Sequence, residues 1–304
     1  MNRTGKRVSL VLGSGGARGL AHIGVIQCLL ARGFDIVSVA GASMGALVGG
    51  LHAAGKLDDY TQWVRGVGRF DILRLLDLSL GSPGLVKGER LITTLRDLLG
   101  DAQIEALPIP FTAVATDLAD GRELWLASGS LFEAIRASIS MPLFFQPYNY
   151  RGRLLLDGGV VNPVPMAPVF KDHSDLIIAV NLNGPPAAVL ANGNGDNKSR
   201  LPPRLAELVS RLPGRSSSNG DSRSSLGMLE VANQALDAMQ DTIARHRLAA
   251  YPPDVLIEVP RNLAGVLEFH RATSLIEAGY RLAEEALGSS DNSQLAPVQA
   301  GSGG

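Results

Sequence analysis

Three short stretches hold residue types that do chemistry when brought together. The first is Gly41-Ala42-Ser43-Met44-Gly45. It follows an apolar run with β-branched members and precedes a helical one, which puts it on a strand-to-helix turn. A serine there is pushed out at the sheet edge, and small neighbours are needed because such a turn is tight and strained. The spot also lies beyond a strand's carboxyl end, where α/β folds place ligands. With 35 glycines in the chain, the pattern by itself also fits an ordinary turn. Its strand–turn–helix setting favours a nucleophile.

The second stretch is Gly13-Ser14-Gly15-Gly16-Ala17-Arg18-Gly19. Glycines let backbone amides turn outward, and a helix N-terminus adds partial positive charge. A phosphate cradle and an oxyanion hole both fit that physics. The nucleotide reading asks for an acidic residue at the end of the second strand, to hold a ribose. That end reads Val39-Ala40-Gly41-Ala42-Ser43, and no Gly-Lys-Ser/Thr follows the first glycines. The oxyanion hole is the better fit.

A serine hydroxyl needs a base. His22 and His52 fall within predicted helices and read as structural. His173 sits in a charged loop, and His246 and His270 on polar helical stretches, none at an evident strand end. Asp157 is better placed. It ends Arg153-Leu154-Leu155-Leu156 and precedes Gly158-Gly159, so its carboxylate is expected to protrude from a loop at the sheet edge. At its reference pKa of about 3.9 a carboxylate is a weak base, so it must be partly desolvated and held against the serine.

The elements that position these residues alternate in type. Strands are predicted at residues 8–12, 34–40, 111–116, 123–126, 153–156, 176–181 and 255–259. Helices are predicted at residues 17–32, 44–54, 131–138, 226–249 and 268–287. The expected fold is α/β, a central mostly parallel sheet sandwiched by helices. One domain is expected over residues 8–288, with its motif-bearing core at 8–182. A Gly, Pro, Ser and Asn-rich stretch at 184–225 reads as a flexible insertion, followed by helix–strand–helix at 226–288. Within the insertion, Leu201, Leu205, Leu208, Val209 and Leu212 share one helical face, either a docked helix or a membrane-touching lid. Residues 289–304 are expected to be a disordered tail.

Composition removes other classes. The balance of 28 Lys and Arg against 29 Asp and Glu leaves a net charge of −1 and no electrostatic case for nucleic acid. The lone Cys28 excludes an internal disulfide and a multi-cysteine zinc site, and its apolar helical setting reads as a buried thiol. No run of about 18 apolar residues occurs, and the first apolar run is too short for a secretory signal. A cytoplasmic protein is expected, with peripheral membrane contact left open.

Taken in order, G-x-G-G-x-R-G, G-A-S-M-G and D-G-G resemble the patatin-like phospholipase family. Within it the chain looks like bacterial RssA-type members, and it is similar to the catalytic domain of neuropathy target esterase. Arg74–Ser79, Gly88-Glu89-Arg90, Ala115-Thr116-Asp117, Gly121–Trp125 and Ala134–Ser138 extend the likeness across residues 8–182. The resemblance implies hydrolysis of phospholipid or lysophospholipid acyl esters through an acyl-serine, by a Ser43–Asp157 dyad. It implies no catalytic histidine, no metal and no other cofactor. Amides of Gly15, Gly16, Ala17 and Arg18 would form the oxyanion hole, with Met44 helping. Gly13, Gly19, Gly41, Gly45, Gly158 and Gly159 would support the three turns. Leu143-Phe144-Phe145 and Pro147 fit either an acyl channel or plain core packing. Ser14 departs from the all-glycine form of plant patatins. A regulatory, largely non-enzymatic member acting through partners is the alternative. Head group, chain length and oligomeric state are not written in the sequence.

Overall fold

The computed structural model describes residues 5–71, 89–100, 102–187 and 228–293. Beyond residue 187 the predicted insertion, with its leucine-bearing segment, lies outside these residues, as does the tail after residue 293.

The apolar run after Lys6 forms β1 (Arg7–Leu12), and α1 (Ala21–Ala31) returns the chain to β2 (Asp35–Ala42). There follow α2 (Met44–Ala53), α3 (Leu57–Arg65), α4 (Glu89–Leu99), β3 (Phe111–Asp117), β4 (Arg122–Leu126) and α5 (Leu131–Ser138). The chain continues through β5 (Tyr148–Tyr150), β6 (Arg153–Asp157), β7 (Leu176–Gly184), α6 (Met228–Ala250), β8 (Val255–Pro260) and α7 (Ala272–Ser293). Strands β3, β2, β1, β7 and β8 are parallel neighbours, while β4, β6 and β5 join antiparallel at the β3 end. The sheet is therefore mostly parallel, as expected.

Alternation along the strands assigns the two faces. Val8, Leu10 and Leu12 enter the larger core beside α1, α2 and α7. Val11, Ala40 and Ala179 face a smaller one, closed by Val164, Met166 and Ala244 of α6. Helices on both faces explain why β1 and β7 read as continuous apolar runs. Among the described residues, no helix is long and apolar enough to cross a membrane.

The structure departs from the sequence reading in three respects. The expected first turn of the helix from Ala17 is a 3₁₀ turn over Gly16–Leu20, a tight form common at helix starts. Helices α3 and α4 and the short β5 were not predicted. Finally, α7 starts at Ala272 and runs to Ser293 rather than spanning 268–287. Its last turns are polar, and a helix without an apolar stripe gives no periodic signal.

One feature of the sheet matters most for the site. Strand β4 occupies one edge of β3 from Ala113 to Asp117. The other edge is shared: β2 pairs with Phe111–Val114, and β6 pairs with Ala115–Asp117 in the opposite direction. The two strands run head-on along one edge. Ala42 ends opposite Val114, and Asp157 ends opposite Ala115, the next position.

The frame is closed by a crossing of α1 and α7 at very short range. A Cβ on Gly24 would overlap the Ile276 carbonyl oxygen, and one on Gly279 would overlap the Ala21 carbonyl oxygen. Gly24→Val should cost about 3 kcal/mol by overpacking, read as a lowered denaturation midpoint. Because both glycines serve one contact, adding Gly279→Val should cost less than the sum of the two single changes. Full additivity would contradict a shared contact.

Candidate active site

Ser43 is the single residue between β2 and α2, and its backbone is bent to φ 56°, ψ −124°. A non-glycine residue held there stores roughly 1–3 kcal/mol of strain. The turn closes only because its flanks lack side chains. A Cβ on Gly41 would overlap the Gly45 carbonyl, and one on Gly45 would overlap the Leu12 carbonyl. The Ser43 amide donates to Ser138 Oγ at 2.9 Å, and that hydroxyl donates to the Val114 carbonyl at 2.6 Å. Ser138 thus splices the end of β2 onto β3. It is carried by α5, whose start is fixed by Ser130 Oγ accepting from the Glu133 amide, with Glu three residues after the cap.

Asp157 is delivered to the same place. Its amide donates to the Ser140 carbonyl at 2.9 Å, and its carbonyl accepts from Thr116 Oγ1 at 2.8 Å. The side chain is 1% exposed, so the carboxylate does not protrude from a loop as the sequence suggested. The D-G-G turn folds over it: Gly158 lies flat against Val114 and Gly159 against Ser14, each without room for a Cβ. Oδ1 accepts from the Gly159 amide at 2.7 Å, whereas Oδ2 is buried with no partner in hydrogen-bond geometry. Burial pushes the carboxyl's pKa up to about 7, against the pull of the Ser43 hydroxyl and the Gly159 amide. Ser43 is therefore near enough to favour the ionised form without making a well-aligned hydrogen bond. Such contacts often tighten only when substrate binds.

The glycine-rich turn completes the arrangement. Gly13 and Ser14 donate to the carbonyls of Val180 and Pro163. His22 Nε2 donates to the Gly13 carbonyl at 2.8 Å; burial lowers its pKa to about 4, so the ring is neutral and structural. Gly16 takes φ +56°, which a side chain would resist, and its own Cβ would press on Val266 at 2.8 Å. Ala17 must be removed from the expected oxyanion donors, because its amide already donates to the Val266 carbonyl at 2.8 Å. Among the described residues, the amides of Gly15, Gly16 and Met44 have no acceptor. Besides the amide expected to face the oxyanion, Arg18 has a guanidinium that donates to the Arg261 carbonyl and to Asn183 Oδ1.

Ser43 and Gly16 line an apolar cleft. Trp63, Val64, Leu91 and Leu95 of α3 and α4 form part of its wall, with Phe144 and Phe145. Leu143 and Pro147 do not line it. Leu143 takes φ 72° and is partly exposed. None of the five histidines lines the cleft. Among the described residues, no group of three His, Cys, Asp or Glu side chains is placed to hold a metal ion. The sequence reading missed the cleft-forming helices and the splicing role of Ser138. The amphipathic spacing of Leu57, Tyr60 and Val64 was the available signal for α3.

Comparison with known proteins agrees with this architecture. Residues 10–170 match the family model described as patatin-like phospholipase. An NTE family protein of Mycobacterium tuberculosis is 42% identical over 92% of this chain and 91% of its own length. A protein named lysophospholipase nte1, of Emericella nidulans, is 30% identical over 93% of this chain, which spans only 18% of that longer protein. VipD from Legionella pneumophila superposes with a TM-score of 0.54 at 16% identity, covering 93% of this chain and 67% of that one. At such identity the likeness concerns the fold.

The raised pKa of Asp157 ties stability to pH. From pH 4 to about 7 the unfolded carboxyl ionises while the folded one stays protonated, so the native state loses stability as pH rises. Above pH 7 the full penalty, on the order of 4 kcal/mol, is in force. Asp157→Asn keeps the acceptor for Gly159 and escapes that penalty. It should melt higher than the wild type at pH 8, with the gap narrowing toward pH 4. A variant no more stable at pH 8 would contradict the buried-carboxylate description.

Proposed function

The chain belongs to the patatin-like phospholipase family, and we propose that it is a serine acyl-ester hydrolase of phospholipid or lysophospholipid working through a Ser43–Asp157 dyad. The observation that carries this reading is one convergence. A strained serine that lines an apolar cleft follows β2, and a buried carboxyl with pKa about 7 ends β6 at the next position along the same edge of β3.

The chemistry follows from the groups present. Ser43 Oγ attacks the ester carbonyl carbon while its proton passes to Asp157 Oδ2, the oxygen without another partner. The carbonyl oxygen becomes negative and is met by the amides of Gly15 and Gly16, helped by Met44, each worth about 3–4 kcal/mol in the transition state. Collapse breaks the bond to the alcohol, which leaves with the proton from Asp157. Water then attacks the acyl-serine, Asp157 takes its proton and returns it to Ser43, and the fatty acid is released. A carboxylate poised near neutrality suits this exchange far better than one at its ordinary value. The apolar cleft suits an acyl chain, and burial keeps bulk water from competing for the oxyanion donors.

Support for the lipid substrate comes from the family and from the fungal relative's name. The catalytic unit spans residues 8–288. The protein would work in the cytoplasm and meet its substrate by peripheral contact with a lipid surface. For the regulatory alternative no observation speaks among the described residues, and the site's parts argue for turnover.

A fluorophosphonate probe should label Ser43. Ser43→Ala and Asp157→Asn should each lower turnover by about a thousandfold or more. Replacing His52, His173, His246 or His270 with Gln should leave kcat/KM within about threefold, since none lines the cleft. A folded histidine variant as damaged as Ser43→Ala would restore a triad and remove the dyad. In addition, kcat/KM should rise with pH through about 7 and then level, because the base works only when ionised. A profile already flat from pH 5 would contradict Asp157 as that base.

A further inference from the structure

The chain from the end of α5 to Phe145 serves the site in three ways. Ser138 Oγ accepts from the Ser43 amide, and the Ser140 carbonyl accepts from the Asp157 amide at 2.9 Å. Ile139, Met141, Phe144 and Phe145 then line the acyl cleft. The same stretch is strained, because Leu143 takes φ 72°. A strained connection that carries nucleophile, base and wall has to be held in place.

A charged side chain reaches into it. Arg136, in the last turn of α5, is only 8% exposed. Its Nη1 donates to Ser140 Oγ at 2.7 Å, and that hydroxyl donates back to the Arg136 carbonyl at 3.0 Å. The guanidinium carbon stands 5.7 Å from the centre of the Phe145 ring and 5.2 Å from that of Tyr148. Phe145 belongs to the cleft wall, and Tyr148 pairs with Leu155, two residues before Asp157 on β6. One guanidinium therefore touches the segment that anchors the base, the strand beside it and the wall of the cleft. Among the described residues, no carboxylate pairs with it. Burying a cation without a counter-ion is costly, and aromatic rings repay only part of that cost. An apolar side chain of similar length would pack there more cheaply. Stability alone does not account for an arginine at this position.

We propose that Arg136 is a positioning residue for the reaction. It fixes Ser140, whose carbonyl sets where Asp157 enters the site, and it braces Phe145 in the cleft wall. It does not itself line the cleft. The assignment rests on the acyl-hydrolase reading, and adds that one side chain governs both the alignment of the base and the fit of the acyl chain.

The test uses p-nitrophenyl acetate and p-nitrophenyl decanoate, with kcat counted per site titrated to completion by a fluorophosphonate. Arg136→Met should lower kcat on both esters by about tenfold, as expected when a reacting group is slightly displaced. It should also raise KM for the decanoate by about threefold and leave that for the acetate, which draws little on the wall. Ser140→Ala cuts the tie to the base and keeps the Phe145 contact. It should lower kcat as Arg136→Met does, with the decanoate KM of the wild type. Combining the two changes should cost little more kcat than either alone. Arg136→Lys keeps a donor for Ser140 Oγ and should bring kcat back to within about threefold of the wild type. A merely structural arginine would lower the number of titratable sites and leave kcat per site untouched, and that result would overturn the assignment. So would full additivity of Arg136→Met and Ser140→Ala. Should Arg136→Met fail to fold, Ser140→Ala decides, since an unchanged kcat per site there breaks the link to the base. If Ser43 labels but the wild type hydrolyses neither ester, the acyl-hydrolase reading falls, which is a different result from hydrolysis that Arg136 does not affect.

Discussion

The site depends on a division of one strand edge. β3 offers its edge opposite β4 to two strands that approach from opposite directions, and it has register positions for both. Neither can advance further without displacing the other. β2 must therefore leave the sheet after Ala42, by a turn so abrupt that Ser43 is forced to positive φ. β6 must stop at Asp157, one position along. The hydroxyl and the carboxyl meet because backbone hydrogen bonding leaves their strands nowhere else to end. Ser138 closes the gap by bonding to the Ser43 amide and the Val114 carbonyl at once.

Such a junction is costly, and the cost is local. Ser43 is strained, Asp157 is a carboxyl buried without a counter-ion, and His22 is held neutral to bind the Gly13 carbonyl. Each would be relieved by a residue that fits better and works worse. The surrounding frame tolerates this because it is packed at very short range, with Gly24 and Gly279 letting α1 and α7 touch backbone to backbone. Stability invested in the crossing helices lets the sheet edge carry a destabilised site.

Sequence alone exposed the local parts and hid the assembled ones. Ser43 was legible because a tight strand-to-helix turn demands Gly41 and Gly45, and Asp157 because it stands between an apolar strand and two glycines. Their adjacency was not legible, since it is a matter of register between strands more than a hundred residues apart. The base role of Asp157 called for partial desolvation, but its complete burial was hidden: a D-G-G turn looks like a surface loop until Gly158 and Gly159 are seen flat against Val114 and Ser14. Ala17 was misassigned as an oxyanion donor because its acceptor, Val266, comes from a distant loop. The walls formed by α3 and α4 went unread although the spacing of Leu57, Tyr60 and Val64 carried a signal for α3. A resemblance carried by the three motifs could place chemistry on residues, but could not supply the cleft.

The convergence at the edge of β3 is tested most directly by a crystal structure of the protein with Ser43 bearing a long-chain alkylphosphonate. The phosphoryl oxygen should lie within hydrogen-bonding distance of the Gly15 and Gly16 amides, with Asp157 Oδ2 beside Ser43 Oγ and the alkyl chain between α3, α4 and Phe144-Phe145. An adduct whose oxygen points away from the glycine turn, or a carboxyl of Asp157 that bonds elsewhere and leaves Ser43 to a histidine, would contradict it.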